Sequence, residues 1–447
     1  LKQKLRVAIN AQLKPDGGSG GVVTVLRALA ALARLEDGTE EYVFVGPHDS
    51  TEWLRSILPP QQTIVRGPAP VEWRAGRLEP FKRALGPLRP AARGLKRMLN
   101  ATVRTAESGA LESLKSFAPT TRKNFYEGLG CDVIHFPFQS YEPCGLPTVY
   151  NPHDLQHLHH PEFFTPLDIE LREALHPSAC RAAHTVVVAS EFVKRDVVER
   201  YHIESKKVQV IPWAPPPLPE SSNAYDFSTL KIKYELSERP FALYPAMTWE
   251  HKNHIRLLEA LALLRDRDGI EISFVFTGYK TDFWPRVERR TNELGLGEQV
   301  KFLGLIPREE LSVFYHEAQF VFVPTLFEAA SAPLFEAWQH GAPVACSSVT
   351  SLPEQAAGAA LLFDPFDVET IARALAHMTT ENHLRDELSR LGTQRLDDFS
   401  LERTAKAYRA VYRRAAGLAL VEEDRWLLGR DWTRQRARAE RPRDEYR

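Results

Sequence analysis

The chain is poor in sulfur: its 447 residues include four cysteines and three methionines. Cys131, Cys144, Cys180 and Cys346 form no CxxC pair and sit at no zinc-finger spacing, which excludes a disulfide scaffold or a zinc ribbon. They read as free thiols of a reducing cytoplasm. Surplus charge is missing too. Lys and Arg number 57 against 58 Asp and Glu, a net charge of −1. A chain-wide basic coat for nucleic acid and an acidic disordered chain are both excluded. Apolar runs such as 320–327 fall far short of the roughly 18 residues that span a bilayer. The first residues pass almost directly into a strand pattern, with no h-region or cleavage site, so no secretory signal is expected.

Globular composition is what remains: 43% hydrophobic and 26% charged residues. A chain of this length exceeds one ordinary core, so two domains are expected. Strand patterns fall at 5–9, 42–45, 133–136, 148–150, 185–188 and 208–211, with helical patterns notably at 22–35, 167–179 and 191–200. Continuous apolar strands between amphipathic helices predict a parallel sheet covered on both faces. Five prolines between Pro212 and Pro219 then break the pattern and read as a stiff linker. The alternation restarts with strands at 241–244, 272–277, 300–303, 320–323 and 344–346. Helices are predicted at 253–265, 283–294, 308–317 and 333–340, and helical patterns fill 368–416. The expected units are 1–218, 225–400 and a C-terminal segment 401–447 with a basic tail.

In such sheets ligands bind outside the carboxyl ends of the strands. The loop after Val323 carries Glu328, Ala330, Ser331 and Ala332, and Glu336 lies one turn into the following helix. Carboxylates suit the hydroxyls of a ribose or hexose, and the helix start suits a phosphate. Taken alone, two glutamates on a surface helix more often face solvent. The loop after Tyr244 ends in His251, Lys252, Asn253 and His254, a lysine beside a helix start that suits a phosphate.

In these elements the chain resembles family 4 of the glycosyltransferases. The resemblance rests on Glu328 and Glu336, on Lys252-Asn253, on Phe302-Leu303-Gly304-Leu305-Ile306-Pro307 and on Gly341-Ala342-Pro343-Val344, in that family's order and spacing. Ser351-Leu352-Pro353-Glu354 and Phe363-Asp364-Pro365 continue it; Asn151-Pro152-His153-Asp154 and Ala189-Ser190-Glu191-Phe192 match the acceptor-side landmarks. The resemblance implies an α/β chain of GT-B fold: two doubly wound Rossmann-like domains facing a central cleft, with a C-terminal helix crossing back to the first domain. It implies a retaining enzyme that uses a nucleotide-sugar. His153 would lie near the transferred sugar, Lys252 would hold the donor pyrophosphate, Glu336 the ribose, and Glu328 the donor sugar. His153, Glu328 and Lys252 form the implied catalytic set. The implied donor-binding set adds Gly20, Gly21, His251, Asn253, Gly278, Leu305, Ala330, Ser331, Ala332 and Glu336, with the loop after Leu303 meeting the base. His251 would add a cation at the leaving group if protonated. No cofactor and no metal is implied.

Two departures bear on the donor. The family's Glu-Gly-Phe-Gly is Glu328-Ala329-Ala330-Ser331 here, and its arginine early in the phosphate loop is replaced by Met247 or Thr248. The phosphate loop resembles mannosyltransferase-like members, so GDP-mannose is the first donor guess. The acceptor would be a glycan or a lipid-linked glycan in bacterial cell-surface polysaccharide synthesis. A nucleotide-sugar 2-epimerase of the same architecture and a non-catalytic sugar-nucleotide-binding protein are the rivals.

Three features remain open. The glycines from Gly17 to Gly21 fit either close approach to phosphates or a flexible loop. His153, His157, His159 and His160 cluster, but Pro152 and Pro161 bracket them and oppose the regular helix that a shared metal face needs. From Glu72 to Lys123, twelve Lys/Arg face four Asp/Glu. Within it, 76–100 reads as a basic amphipathic stretch, interrupted by Pro87 and Pro90. It suits peripheral contact with the inner face of a membrane, a phosphorylated lipid-linked acceptor, or a solvated helical face.

Overall fold

In the computed structural model, residues 4–13, 20–68, 125–219 and 225–432 are described. The basic segment 72–123, the start of the glycine-rich loop and the Arg-rich end lie outside them. Thirteen described strands form two sheets, every pairing parallel. The first comprises β1 (Arg6–Asn10), β2 (Glu41–Gly46), β3 (Thr63–Arg66), β4 (Val133–Phe136), β5 (Thr148–Tyr150), β6 (Thr185–Val188) and β7 (Val208–Val210). Its order is β3-β2-β1-β4-β5-β6-β7. The second comprises β8 (Phe241–Pro245), β9 (Ser273–Thr277), β10 (Val300–Phe302), β11 (Phe320–Val323), β12 (Val344–Ser347) and β13 (Leu361–Phe363), in the order β10-β9-β8-β11-β12-β13. The two doubly wound sheets predicted from the strand alternation are therefore both present. β6 and β11 are buried along their whole length, which is why they read as unbroken apolar runs rather than alternating ones.

Among the elements that the sequence pattern missed are two edge strands and a helix. β3 is half exposed and has no apolar run, and β13 is apolar but only three residues long. The helix Phe227–Tyr234 falls just beyond the linker; Leu230 is buried in the second core and Phe227 and Tyr234 pack beside it.

The helix Leu401–Ala415 lies on the first sheet. Ala405, Tyr408, Val411 and Tyr412 share one buried cluster with Val7, Ile9, Phe44 and Val149. Two of its tyrosine hydroxyls are bonded to the sheet side as well. The Tyr412 hydroxyl is 2.7 Å from His135 Nδ1, and Asn151 Nδ2 donates to the Tyr408 hydroxyl at 3.0 Å. All four cysteines are free. Among the described residues, no helix is long and apolar enough to cross a membrane.

Candidate functional site

In each sheet the strand order reverses between two neighbours, β1 and β4 in the first and β8 and β11 in the second. Connections leave such neighbours in opposite directions and open a crevice at their carboxyl ends. In the second sheet the loops leaving β8 and β11 carry Lys252 and Glu328. Leu326 N–H and the Thr325 hydroxyl donate to the His251 carbonyl at 2.8 and 3.2 Å. The Tyr244 hydroxyl donates to the Lys252 carbonyl at 2.8 Å. Asn253, left-handed at φ 60° and buried, donates both amide hydrogens, to the carbonyls of Pro324 (3.0 Å) and Pro365 (2.9 Å). Asn253 is thus a clip that fixes three loops around Lys252.

The Lys252 ammonium sits 2.5 Å from Glu328 Oε1, with the two side chains 18% and 14% exposed. Glu328 is held through its backbone. Its N–H donates to the Thr350 hydroxyl at 3.1 Å, and its carbonyl accepts from the hydroxyls of Thr350 (2.7 Å) and Ser351 (2.8 Å). The helix Ala332–Gln339 begins four residues further on. Ser331 is buried before it, and its N–H and carbonyl are both taken by the Gln355 amide at 2.8 and 2.7 Å. That leaves the N–H groups of Ala332 and Leu334 in the first helical turn to face an anion, Pro333 between them having none. Ala330 is half-buried in the same loop. Glu336 accepts a 2.6 Å hydrogen bond from the Tyr315 hydroxyl on its Oε2. Sequence reasoning did not single out Tyr315, Thr350 or Gln355. Each acts through a fold-made contact, and no local motif marks it.

Other predicted positions fall around this pair. Gly278 has φ 131°, and a Cβ there would lie 2.5 Å from the Ala246 carbonyl oxygen, so only glycine allows this approach. Leu305 is 74% exposed beyond β10. Gly20 and Gly21 form the first turn of the helix Gly20–Ala30, at the reversal point of the first sheet. His153 follows β5, is left-handed at φ 66°, and points Nε2 at the Pro137 carbonyl, 2.8 Å away. A carbonyl only accepts, so Nε2 carries the hydrogen and Nδ1 is the accepting nitrogen. Burial lowers the pKa of His153, so the ring is neutral near pH 7.

One expectation is corrected. Burial, reinforced by Lys252, His160 and His254, pushes the pKa of His251 well below its ordinary value. His251 is neutral and adds no cation. The histidine cluster disperses: His157 turns to Glu173 at 2.8 Å, His159 to Asp196 at 2.6 Å and His160 to Glu162 at 3.0 Å. Among the described residues, no group of three or more His, Cys, Asp or Glu is placed to hold a metal ion.

Two family models match this chain. "Glycosyl transferases group 1" matches residues 226–395, the part with Lys252, Glu328 and Glu336, and "Glycosyltransferase Family 4" matches 108–214. Together they cover more than half of the chain. The chain belongs to the family 4 glycosyltransferases. O-antigen chain mannosyltransferase B of Escherichia coli is 27% identical over 247 residues, 54% of this chain and 64% of that protein. MMP alpha-(1->4)-mannosyltransferase of Mycolicibacterium hassiacum is 30% identical over 168 residues, 36% of this chain and 39% of the relative. The match also takes in only 28% of the E. coli serotype-specific mannosyltransferase WbdA, so the chain spans less than two thirds of these relatives. Among solved structures, a glycosyltransferase from Rickettsia africae superposes with a TM-score of 0.61 at 15% identity, covering 92% of this chain and 98% of the other. WaaG, a glycosyltransferase involved in lipopolysaccharide biosynthesis, gives 0.59 at 16%, covering 92% and 100%. The fold is GT-B.

In this family member the cleft is bridged by aromatic contacts. The Phe327 ring lies 5.5 Å from His159 and 6.0 Å from Phe192, and Phe163 lies 6.2 Å from His251. Beside them the Glu354 carboxylate accepts from the N–H groups of Glu191 (2.8 Å) and Phe192 (3.1 Å). A carboxylate of the second unit thus closes the start of the helix Glu191–Tyr201 in the first. The position of the missing arginine is explained in part: Thr248 is fully buried and bonded to Thr281, whose N–H donates to its hydroxyl at 2.8 Å. Thr248 is a packing residue, and Met247 is the half-buried neighbour beside the cleft.

Proposed function

We propose that this chain transfers a sugar, with retention, from a nucleoside diphosphate donor to a glycan or lipid-linked glycan during cell-surface polysaccharide synthesis. GDP-mannose is the proposed donor. The Lys252–Glu328 pair at the reversal point of the second sheet carries the reading. A donor pyrophosphate takes the ammonium and the amides at Ala332, and the freed Glu328 carboxylate accepts hydroxyls of the sugar. Glu336, oriented by Tyr315, accepts the ribose hydroxyls. Gly20 and Gly21 bring the helix start of the first unit to the same phosphates. Leu305 and Gly278 border the base.

In the reaction the bond from the anomeric carbon to the phosphate oxygen breaks, and a bond to the acceptor oxygen forms on the same face. The acceptor's proton passes to the departing phosphate. Lys252 and the helix amides stabilise the charge that develops there, so no covalent nucleophile is assigned. Neutral His153 offers Nδ1 to a hydroxyl of the transferred sugar. The mannosyltransferases among the relatives support mannose, and the lipopolysaccharide enzyme among the structural neighbours supports the setting.

The test is transfer from GDP-mannose, UDP-glucose and ADP-glucose to a lipid-linked glycan acceptor, with Lys252→Ala and Glu336→Ala as comparators. Loss of transfer in both folded variants is expected. Wild-type rates in both would overturn the site assignment. Nucleotide-sugar interconversion without acceptor would favour the epimerase.

A further inference from the structure

The first N–H groups of a helix have no partner inside it. At the start of the helix Glu191–Tyr201, Ser190 supplies two acceptors. Its hydroxyl takes the Val193 N–H at 3.3 Å, and its carbonyl takes the Lys194 N–H at 3.0 Å. The N–H groups of Glu191 and Phe192 go to the two oxygens of Glu354, one each, at 2.8 and 3.1 Å. The second unit therefore completes a helix start that belongs to the first. For an ionised carboxylate both bonds are charge-assisted, and the charge also meets the positive end of the helix dipole.

The next residue grips the donor side. The Gln355 amide holds the N–H and the carbonyl of Ser331, directly before the helix Ala332–Gln339. Consecutive Cα atoms are about 3.8 Å apart, so a single peptide unit joins the two grips. The backbone between them is fixed in turn. Arg395, 2% exposed, donates Nη2 to the Glu354 carbonyl and Nε to the Gln355 carbonyl, each at 3.0 Å. Its Nη2 also reaches the carbonyl of Trp432 at 3.3 Å, a residue buried in a core cluster of the first unit.

On the other side the helix Glu191–Tyr201 holds two groups near the cleft. Its buried Asp196 lies 2.6 Å from His159 Nε2, and His159 ends the short helix Gln156–His159 that follows His153. Its Phe192 ring lies 6.0 Å from Phe327, the residue before Glu328.

We propose that Glu354 is a positioning residue of the transfer reaction, setting the loop of His153 in the first unit against the helix start at Ala332 in the second. Both of its oxygens are engaged by N–H groups, so it acts through the helix Glu191–Tyr201 and not on a substrate. Lys252, Glu328 and Glu336 all lie in the second unit, so its loss misplaces the acceptor side and leaves these donor contacts in place. The kinetic consequence rests on the proposed donor reading; the fastening of the two units does not.

The test is Glu354→Gln in the full chain. An amide keeps one acceptor oxygen and turns its NH₂ toward the other helix N–H, so one bond is lost and a donor faces a donor. Hydrogen exchange is read first, without ligand. Segments 190–193 and 153–160 are expected to exchange about tenfold faster or more, with 332–339 unchanged. Transfer is read second, with the nucleotide-sugar that wild type uses. The expected result is kcat lowered about tenfold or more with the donor KM within about twofold, while Tyr315→Phe on the donor side shows the opposite split. A residue that only stabilised the fold would lower the melting temperature without dividing kcat from KM, so melting is recorded and rates are taken well below it. The proposal is overturned if 153–160 exchanges as in wild type or if kcat is unchanged. Wild-type rates in Lys252→Ala and Glu336→Ala would sink the donor reading instead, and exchange alone would then decide whether Glu354 fastens the two units.

Discussion

Removing either partner of the Lys252–Glu328 pair should cost more than removing both. At 2.5 Å and an effective dielectric near 20, the direct attraction is about 6 to 7 kcal/mol. Desolvation offsets most of it, because the two side chains are only 18% and 14% exposed. A net of about 1.5–3 kcal/mol, usual for a charge-assisted hydrogen bond, is what remains to be measured as coupling. The perturbations are Lys252→Met, Glu328→Gln and the double variant. Lys252→Met leaves a carboxylate unpaired in a half-dry crevice and should be the worst single change. For a domain of 150–250 residues, 2 kcal/mol is about 4–8 °C of melting temperature. Scanning calorimetry of all four proteins should show Lys252→Met lowered by that amount and the double variant restored to within a few degrees. Transfer should stay absent in the double variant, since the cation for the phosphate is gone. Additive losses in the double variant would refute the argument that the pair is an electrostatic unit, whatever the activity.

Further outcomes follow from the same geometry. Asn253→Ala removes two buried hydrogen bonds and puts a Cβ-bearing residue at φ 60°; about 2–4 kcal/mol should be lost, and Asn253→Gly, free of the backbone cost, should lose about 1 kcal/mol less by chemical denaturation. Tyr315→Phe should keep the fold and raise the donor KM about three- to tenfold with kcat less affected, because Glu336 loses its 2.6 Å orienting bond. Burial holds His135, His176 and His254 to pKa values of about 3, below their unfolded values. Their contribution is full above about pH 6.5 and is lost as pH falls, because the unfolded chain takes up protons first. Near pH 5 that is up to about 2 kcal/mol for each histidine, so melting temperature should drop steeply between pH 7 and 5 and recover on return.

The doubly wound sheets were legible because buried parallel strands advertise themselves. The reading at 320–323 coincides with β11, and those at 133–136, 148–150 and 185–188 coincide with β4, β5 and β6. β3 was not, since an edge strand needs no apolar run, nor was β13, whose apolar stretch is only three residues long. Lys252, Glu328 and Glu336 stood out because a helix start after a strand is a local signal. The state of His251 was not legible. A histidine beside a lysine looks like a second cation until the fold buries it, and desolvation then removes its charge.

Local pattern thus set the alternation of strands and helices and marked the loops proposed to carry the chemistry, because burial on both faces and helix starts leave marks within a few residues. Pairing across distance was settled in three dimensions. Lys252 and Glu328 are 76 positions apart and Glu354 and Glu191 163. His135 and Tyr412 are 277 apart. No spacing along the chain encodes which of these meet, since that follows from strand order and from the return of the last long helix.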